Sequence, residues 1–204
     1  MDIFNHFSCH TSLPVKIADV EAHIKDSGVV AQIDIHPLDL DPSVLRGICW
    51  VYEWRPKNSL NTHLVGKIGF NKHLPEDEAR LVVCKELLHL LDNKFETAQT
   101  KDEVEQLVED IILPVEAAVG LPALNDNTGL LMAIAIMLPR DAIDDFRPKY
   151  DADEISSATI AKMARVPEWA VRVAFSPHWA EVLERFDAIG QTRAQIRKST
   201  RKKR

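Results

Sequence analysis

The chain has 204 residues, 46% hydrophobic and 27% charged, which predicts one globular domain with a real core, or a main domain with a small appendage. The longest apolar run, Gly129 to Pro139, is too short to cross a bilayer, and the N-terminus has no basic stretch leading into an apolar one; neither a membrane span nor a secretory leader is expected. Net charge is −6, from 25 Lys and Arg against 31 acids. Seven of those cations lie in 193–204, so residues 1–192 hold 18 against 31 and carry −13. Such a body repels phosphate, whereas the tail attracts it.

Three scattered cysteines, Cys9, Cys49 and Cys84, form no Cys-x-x-Cys pair. They fit a reducing cytoplasm better than a disulfide framework, and they are too few for a four-thiolate zinc site. No internal repeat interrupts the chain.

In chain order, "PVKIADVEAHIKDSG" reads as a short helix, with Val15, Ile17, Val20 and Ile24 at near-helical spacing and Gly28 past its end. "VVAQIDIHP" alternates with period two, a strand closed by Pro37. "RGICWVYEW" and "THLVGKIGFN" are both strand-like and are joined by a polar loop, which predicts a hairpin. Pro75 followed by Glu76, Asp77 and Glu78 opens a helix, with acids at the positive end of its dipole. Leu81, Cys84, Leu88 and Leu91 form its apolar stripe. "TKDE" at 100–103 is a capping box for a second helix, ended by Pro114. "NTGLLMAIAIMLP" is apolar around most of its circumference, so it reads as a buried helix. "SSATIAKMA" and "PEWAVRVAF" are short helices, and "PHWAEVLERFDAIG" leads into the basic tail. The expected fold is α+β: a small antiparallel or mixed sheet packed on a helical bundle. It divides into an N-terminal helix and sheet at about 14–71, a helix at about 75–92, C-terminal helices at about 100–190, and a tail, 193–204, outside the 1–192 domain.

Chemistry concentrates in "CKELLHLLD". Lys85, Glu86, His89 and Asp92 share a helical face, since residues three and four apart are neighbours. A His-Glu-x-x-His helix aims two imidazoles at one zinc ion and sets the Glu to take a proton from the bound water. Here Glu86 and His89 hold the second and last places of that pattern, and Lys85 holds the first. A protonated amine has three donors and no lone pair, so Lys85 in that form cannot bind the ion. Taken alone, the pattern is also what a solvated helix face produces.

The surrounding stretch, "KIGFNKHLPEDEARLVVCKELLHLLD", resembles the core of the ImmA/IrrE metallopeptidases, bacterial and prophage regulators that cleave or displace repressors. The features that carry the resemblance are Ile68, Asn71, Leu74, Pro75, Arg80, Glu86 and His89, followed in order by "AIAIMLPRDAIDDF" and the helix pair "TIAKMARVPEWAVRVAF". It runs from about Pro14 to Phe175 and implies a zincin-like fold. It also implies Glu86 as general base, His89 as metal ligand and an acidic ligand from a later helix. That ligand falls on Glu103 in one alignment, with Glu105 beside it, and on Asp126 or Thr128 in another; Glu103 supplies the expected residue type.

Three functions remain open on these residues. The first is a degenerate zincin-like protein without metal that binds a repressor or other regulatory protein, with Lys85 supplying the charge that zinc would. The second is a metal-dependent endopeptidase with a rearranged site, using His89, Asp92 and Glu103 for zinc and Glu86 as base, or Lys85 as an oxyanion stabiliser. The third is a DNA-binding regulator that uses residues 156–175 as a helix-turn-helix, with Arg165 in place of the usual turn glycine. The start of its second helix offers one cation, Arg172, which favours packing helices over base readers. The tail cations Arg193, Arg197, Lys198, Arg201, Lys202, Lys203 and Arg204 predict salt-sensitive, sequence-independent affinity for nucleic acid, or simply a solvated end. His178 with Glu181 repeats a one-turn His–acid spacing, next to residues that suggest a helix start. Trp50, Trp54, Trp169 and Trp179 sit among apolar neighbours and read as core or interface.

Overall fold

The computed structural model describes residues 3–39, 41, 45–55, 57, 62–91 and 121–186, with the backbone alone for 121–127. The chain divides into two compact units, 16–133 and the combination of 1–15 with 134–204. In chain order the elements are α1 (Ile3–Ser8), α2 (Ile17–Asp26), β1 (Gln32–Leu38), β2 (Gly47–Trp54), β3 (His63–Asn71), α3 (Glu76–His89), α4 (Leu121–Met137), α5 (Arg140–Asp151), α6 (Ser157–Ala164) and α7 (Glu168–Ala174). A further helical stretch, 179–186, follows. The α+β class is therefore as expected.

In the first unit β3 is the central strand of a three-stranded mixed sheet, ordered β1-β3-β2. β1 pairs with it in parallel, from Gln32 opposite Val65 to Leu38 opposite Asn71. β2 pairs with it antiparallel, from Gly47 opposite Phe70 to Trp54 opposite His63, which is the expected hairpin. β1 runs one residue past Pro37, so that proline does not close the strand. The reason is positional: β1 is an edge strand, and an edge tolerates a residue with no N–H to donate. α3 packs on β2 and β3, and α2 on α3 and β1. Val20, Ile24, Ile68, Leu81, Cys84 and Leu87 make the core between them, none more than 2% exposed. Fully burying side chains of this size contributes about 1.5–3 kcal/mol each.

In the second unit α6 and α7 pack on each other through Ile160, Val166, Val171 and Phe175, all buried. Ser156 caps α6, its hydroxyl accepting from the Thr159 N–H. Arg147 Nη1 donates to the Phe175 carbonyl at 2.8 Å, so α5 supplies a cap for the end of α7. Phe4 of α1 meets Phe186 edge-on at 5.7 Å. Trp179 is buried, as expected of a core tryptophan. Trp50 and Trp54 are not core residues: they are 41% and 46% exposed, on β2, the other edge of the sheet among the described residues.

Among the described residues no helix is long and apolar enough to cross a membrane. The run from Gly129 belongs to the 17-residue α4, whose residues from Ala133 onward are buried.

Candidate functional site

α3 begins after Pro75, which holds extended geometry as the N-cap, and Glu76, Asp77 and Glu78 form its first turn. Upstream, the fully buried Asn71 ends β3, and its Oδ1 accepts from the His73 N–H at 2.9 Å. This side-chain turn fixes the path from strand to helix. Arg46 pairs with Glu78 across the entry. Arg80 lies half-buried one turn before Cys84. Burial lowers the Arg80 guanidinium's pKa, and the neighbouring Cys84 opposes that shift. The Cys84 thiol is fully buried, and burial pushes it up to about 12, against a smaller pull from Arg80. Cys84 is therefore an inert core residue.

The structure brings Lys85, Glu86 and His89 together on the last two turns of α3, which ends at His89. Glu86 is buried, and Lys85 Nζ stands 3.0 Å from its Oε1. No well-directed hydrogen bond from the described residues reaches that oxygen. The two facts are compatible, since the ammonium is close enough to neutralise the carboxylate without aiming an N–H along a lone pair.

Two glycines set the walls. A Cβ on Gly47, the first residue of β2, would fall 2.8 Å from Glu86 Oε1 and 2.9 Å from its Cγ. A Cβ on Gly129 of α4 would fall 3.3 Å from both Cε1 and Nε2 of His89, and 3.5 Å from Lys85 Cγ. Glu86 thus faces the sheet while Lys85 and His89 face α4; a Cβ at Gly47 would clash, whereas one at Gly129 would fit tightly. Sequence reading passed over these glycines, although each carried a signal. A mid-helix glycine costs about 1 kcal/mol relative to alanine, and a glycine in a strand marks close approach.

Among the described residues, the donors on this face do not by themselves make the zinc site that the resemblance implies. The face presents one imidazole, one carboxylate already matched by an ammonium, and an amine with no lone pair in its charged form. Among the described residues no three His, Cys, Asp or Glu side chains converge on one point. Asp92, Glu103 and Glu105 lie outside the described residues, as do the tail residues Arg193 to Arg204. Asp126 falls on the backbone-only turns of α4, and Thr128 is exposed one residue before Gly129.

The remaining expectations resolve individually. Arg165 ends α6 in left-handed geometry, φ 53° and ψ 49°, the conformation that makes glycine usual at such turns. In α7 the Arg172 guanidinium donates to Glu168 Oε1 at 2.7 Å, and Ser157 Oγ donates to the same oxygen. The one cation a base-reading helix would offer is thereby paired. His178 and Glu181 stand 3.8 Å apart with both side chains mostly exposed, a weak surface contact. A cluster that sequence reading did not single out lies after β1, where Asp39 accepts from Lys72 Nζ at 2.6 Å and meets His73 Nε2 at 2.9 Å. Those contacts, Lys72 first, hold the Asp39 carboxyl below the usual range.

Compared with known proteins, the chain matches no family model, and the comparisons with curated proteins and with solved structures found no match.

Proposed function

We propose that the chain is a zincin-like protein of the ImmA/IrrE type whose peptidase chemistry is silent, and that it acts in the cytoplasm by binding a regulatory protein of the repressor kind. The observation that carries this reading is the Lys85–Glu86 pair, 3.0 Å apart and nearly withdrawn from water. A buried carboxylate needs a counter-charge. In a working site of this type the metal provides it and leaves the Glu free to accept a proton from water. Here an amine one residue away provides it, so Glu86 is occupied as an ion-pair partner. What remains is an ion pair packed between Gly47 and Gly129, poor for hydrolysis.

The test mixes the purified chain with a helix-turn-helix repressor from the same genome, with and without added zinc. A complex that leaves the repressor at its full mass, and that Thr128→Arg weakens at least about tenfold by crowding the face beside Gly129, is the expected result. Chelator-sensitive cleavage of the repressor that disappears in Glu86→Gln would overturn the reading in favour of a rearranged peptidase.

A further inference from the structure

Of the five large hydrophobic side chains exposed among the described residues, four lie on β2: Trp50, Val51, Tyr52 and Trp54. Among the described residues β2 is also an edge of the sheet, so one row of its main-chain N–H and C=O groups faces away from β3. The usual devices that blunt an edge are missing from this strand. It contains no proline, pairs with β3 without a bulge over eight residues, and has no residue of positive φ. Glu53 is its only charge.

Alternation sets Trp50, Tyr52 and Trp54 on the face opposite Gly47, which meets α3, while Val51 shares the face of Gly47. Apolar surface is therefore exposed on both sides of one main-chain edge. A ligand laid flat on the aromatic face, such as stacked bases, would leave Val51 and the main-chain groups in water. A strand added alongside covers all of them at once.

We propose that this strand is a second copy of β2, and that two chains join edge to edge into one six-stranded sheet. An antiparallel pair centred on Tyr52 keeps like faces together. It sets Trp50 opposite the partner's Trp54 and Tyr52 opposite the partner's Tyr52. The charges agree with that register: Glu53 stands across from the partner's Val51 and Arg55 across from the partner's Cys49, so no like charges meet. Lys67, whose Nζ lies 5.3 Å from the Tyr52 ring centroid, stays one strand inside on each copy.

Area sets the strength. Three aromatic side chains, each about two-fifths exposed, offer roughly 200–300 Å² per copy, well short of the ~800 Å² per partner of a standard stable interface. Main-chain pairing adds to this, and the dimer is a weak one that forms and dissociates with concentration.

Sedimentation equilibrium of the full chain from about 1 to 200 µM tests the proposal. The apparent mass should rise from 23.0 kDa toward twice that value. Tyr52→Lys should hold the chain monomeric throughout, while Met163→Lys, at the fifth exposed hydrophobic position, leaves the curve unchanged. Both sites are on the surface, and circular dichroism confirms that each variant folds. In a Cys9→Ser background, Tyr52→Cys should form a cross-linked dimer on mild oxidation, because directly opposed residues of an antiparallel pair lie within about 5.5 Å. A wild-type chain monomeric at the highest concentration, or a dimer that survives Tyr52→Lys, overturns the proposal. So does a monomeric chain whose Trp50 and Trp54 fluorescence is quenched by an extended peptide or a single-stranded oligonucleotide, which would assign the edge to a foreign partner.

Discussion

Two ion pairs of nearly the same chemistry occupy opposite surroundings. On α3, Lys85 and Glu86 have side chains 15% and 4% exposed; on α7, Arg172 and Glu168 have side chains 59% and 41% exposed. Water already solvates the second pair, so its formation changes little, and such pairs contribute about 0–1 kcal/mol. The first pair has given up most of its hydration, so each member depends on the other. The pattern of charges along the sequence does not distinguish them; burial does.

The largest expected effect follows from removing one member of the buried pair. Lys85→Ala should destabilise the fold by about 3 kcal/mol in urea unfolding, because Glu86 is left buried without a counter-charge. Lys85→Met with Glu86→Leu should recover most of that loss, since apolar residues of similar volume replace such pairs at little cost. Equal destabilisation by the single and double changes would erase the distinction between the two pairs.

Gly47→Ala comes next. Its new methyl group must displace Val82 and Glu86, a crowding that typically costs about 1–3 kcal/mol, measured by the same unfolding curve. Arg165→Gly acts in the other direction: relief of a left-handed backbone at a side-chain-bearing residue should stabilise the helix pair by about 1 kcal/mol. Smallest of all, Arg172→Ala should change stability by under about 0.5 kcal/mol. A pH experiment adds a check on the α3 core. The Cys84 pKa is raised to about 12 from an ordinary value of 9.0, so the folded state favours the neutral thiol. The resulting stabilisation is complete below pH 9 and is lost as pH rises from 9 to 12. At pH 8 a thiol reagent should label the exposed Cys9 in the folded chain and leave Cys84 untouched until denaturant is added.

Much of the fold was legible in the sequence because local signals agreed with tertiary demands. α2, the β2–β3 hairpin, the start of α3 after Pro75, and the α6–α7 pair all stand close to where periodicity and capping placed them. The misreadings share a cause, which is that strand order is not written in any one segment. Pro37 would end a central strand but not an edge strand, and of the two readings open for Trp50 and Trp54, core or interface, exposure on β2 removes the first. Two helices went unread. α1 is only six residues long, with Ile3, Phe4 and Phe7 turned inward. α5 begins directly after Pro139 and carries Pro148, and these prolines hide its bounds within the helical region expected at about 100–190. At the site, the grouping of Lys85, Glu86 and His89 followed from helical spacing alone. The orientation of Glu86 toward β2, and of Lys85 and His89 toward α4, depended on Gly47 and Gly129 in distant segments.

The most direct measurement is the zinc content of the wild-type chain purified without chelators. An ammonium that supplies the counter-charge to Glu86 predicts less than about a tenth of an equivalent. One equivalent of zinc that is lost on His89→Ala would contradict it, since the metal and not Lys85 would then hold the site.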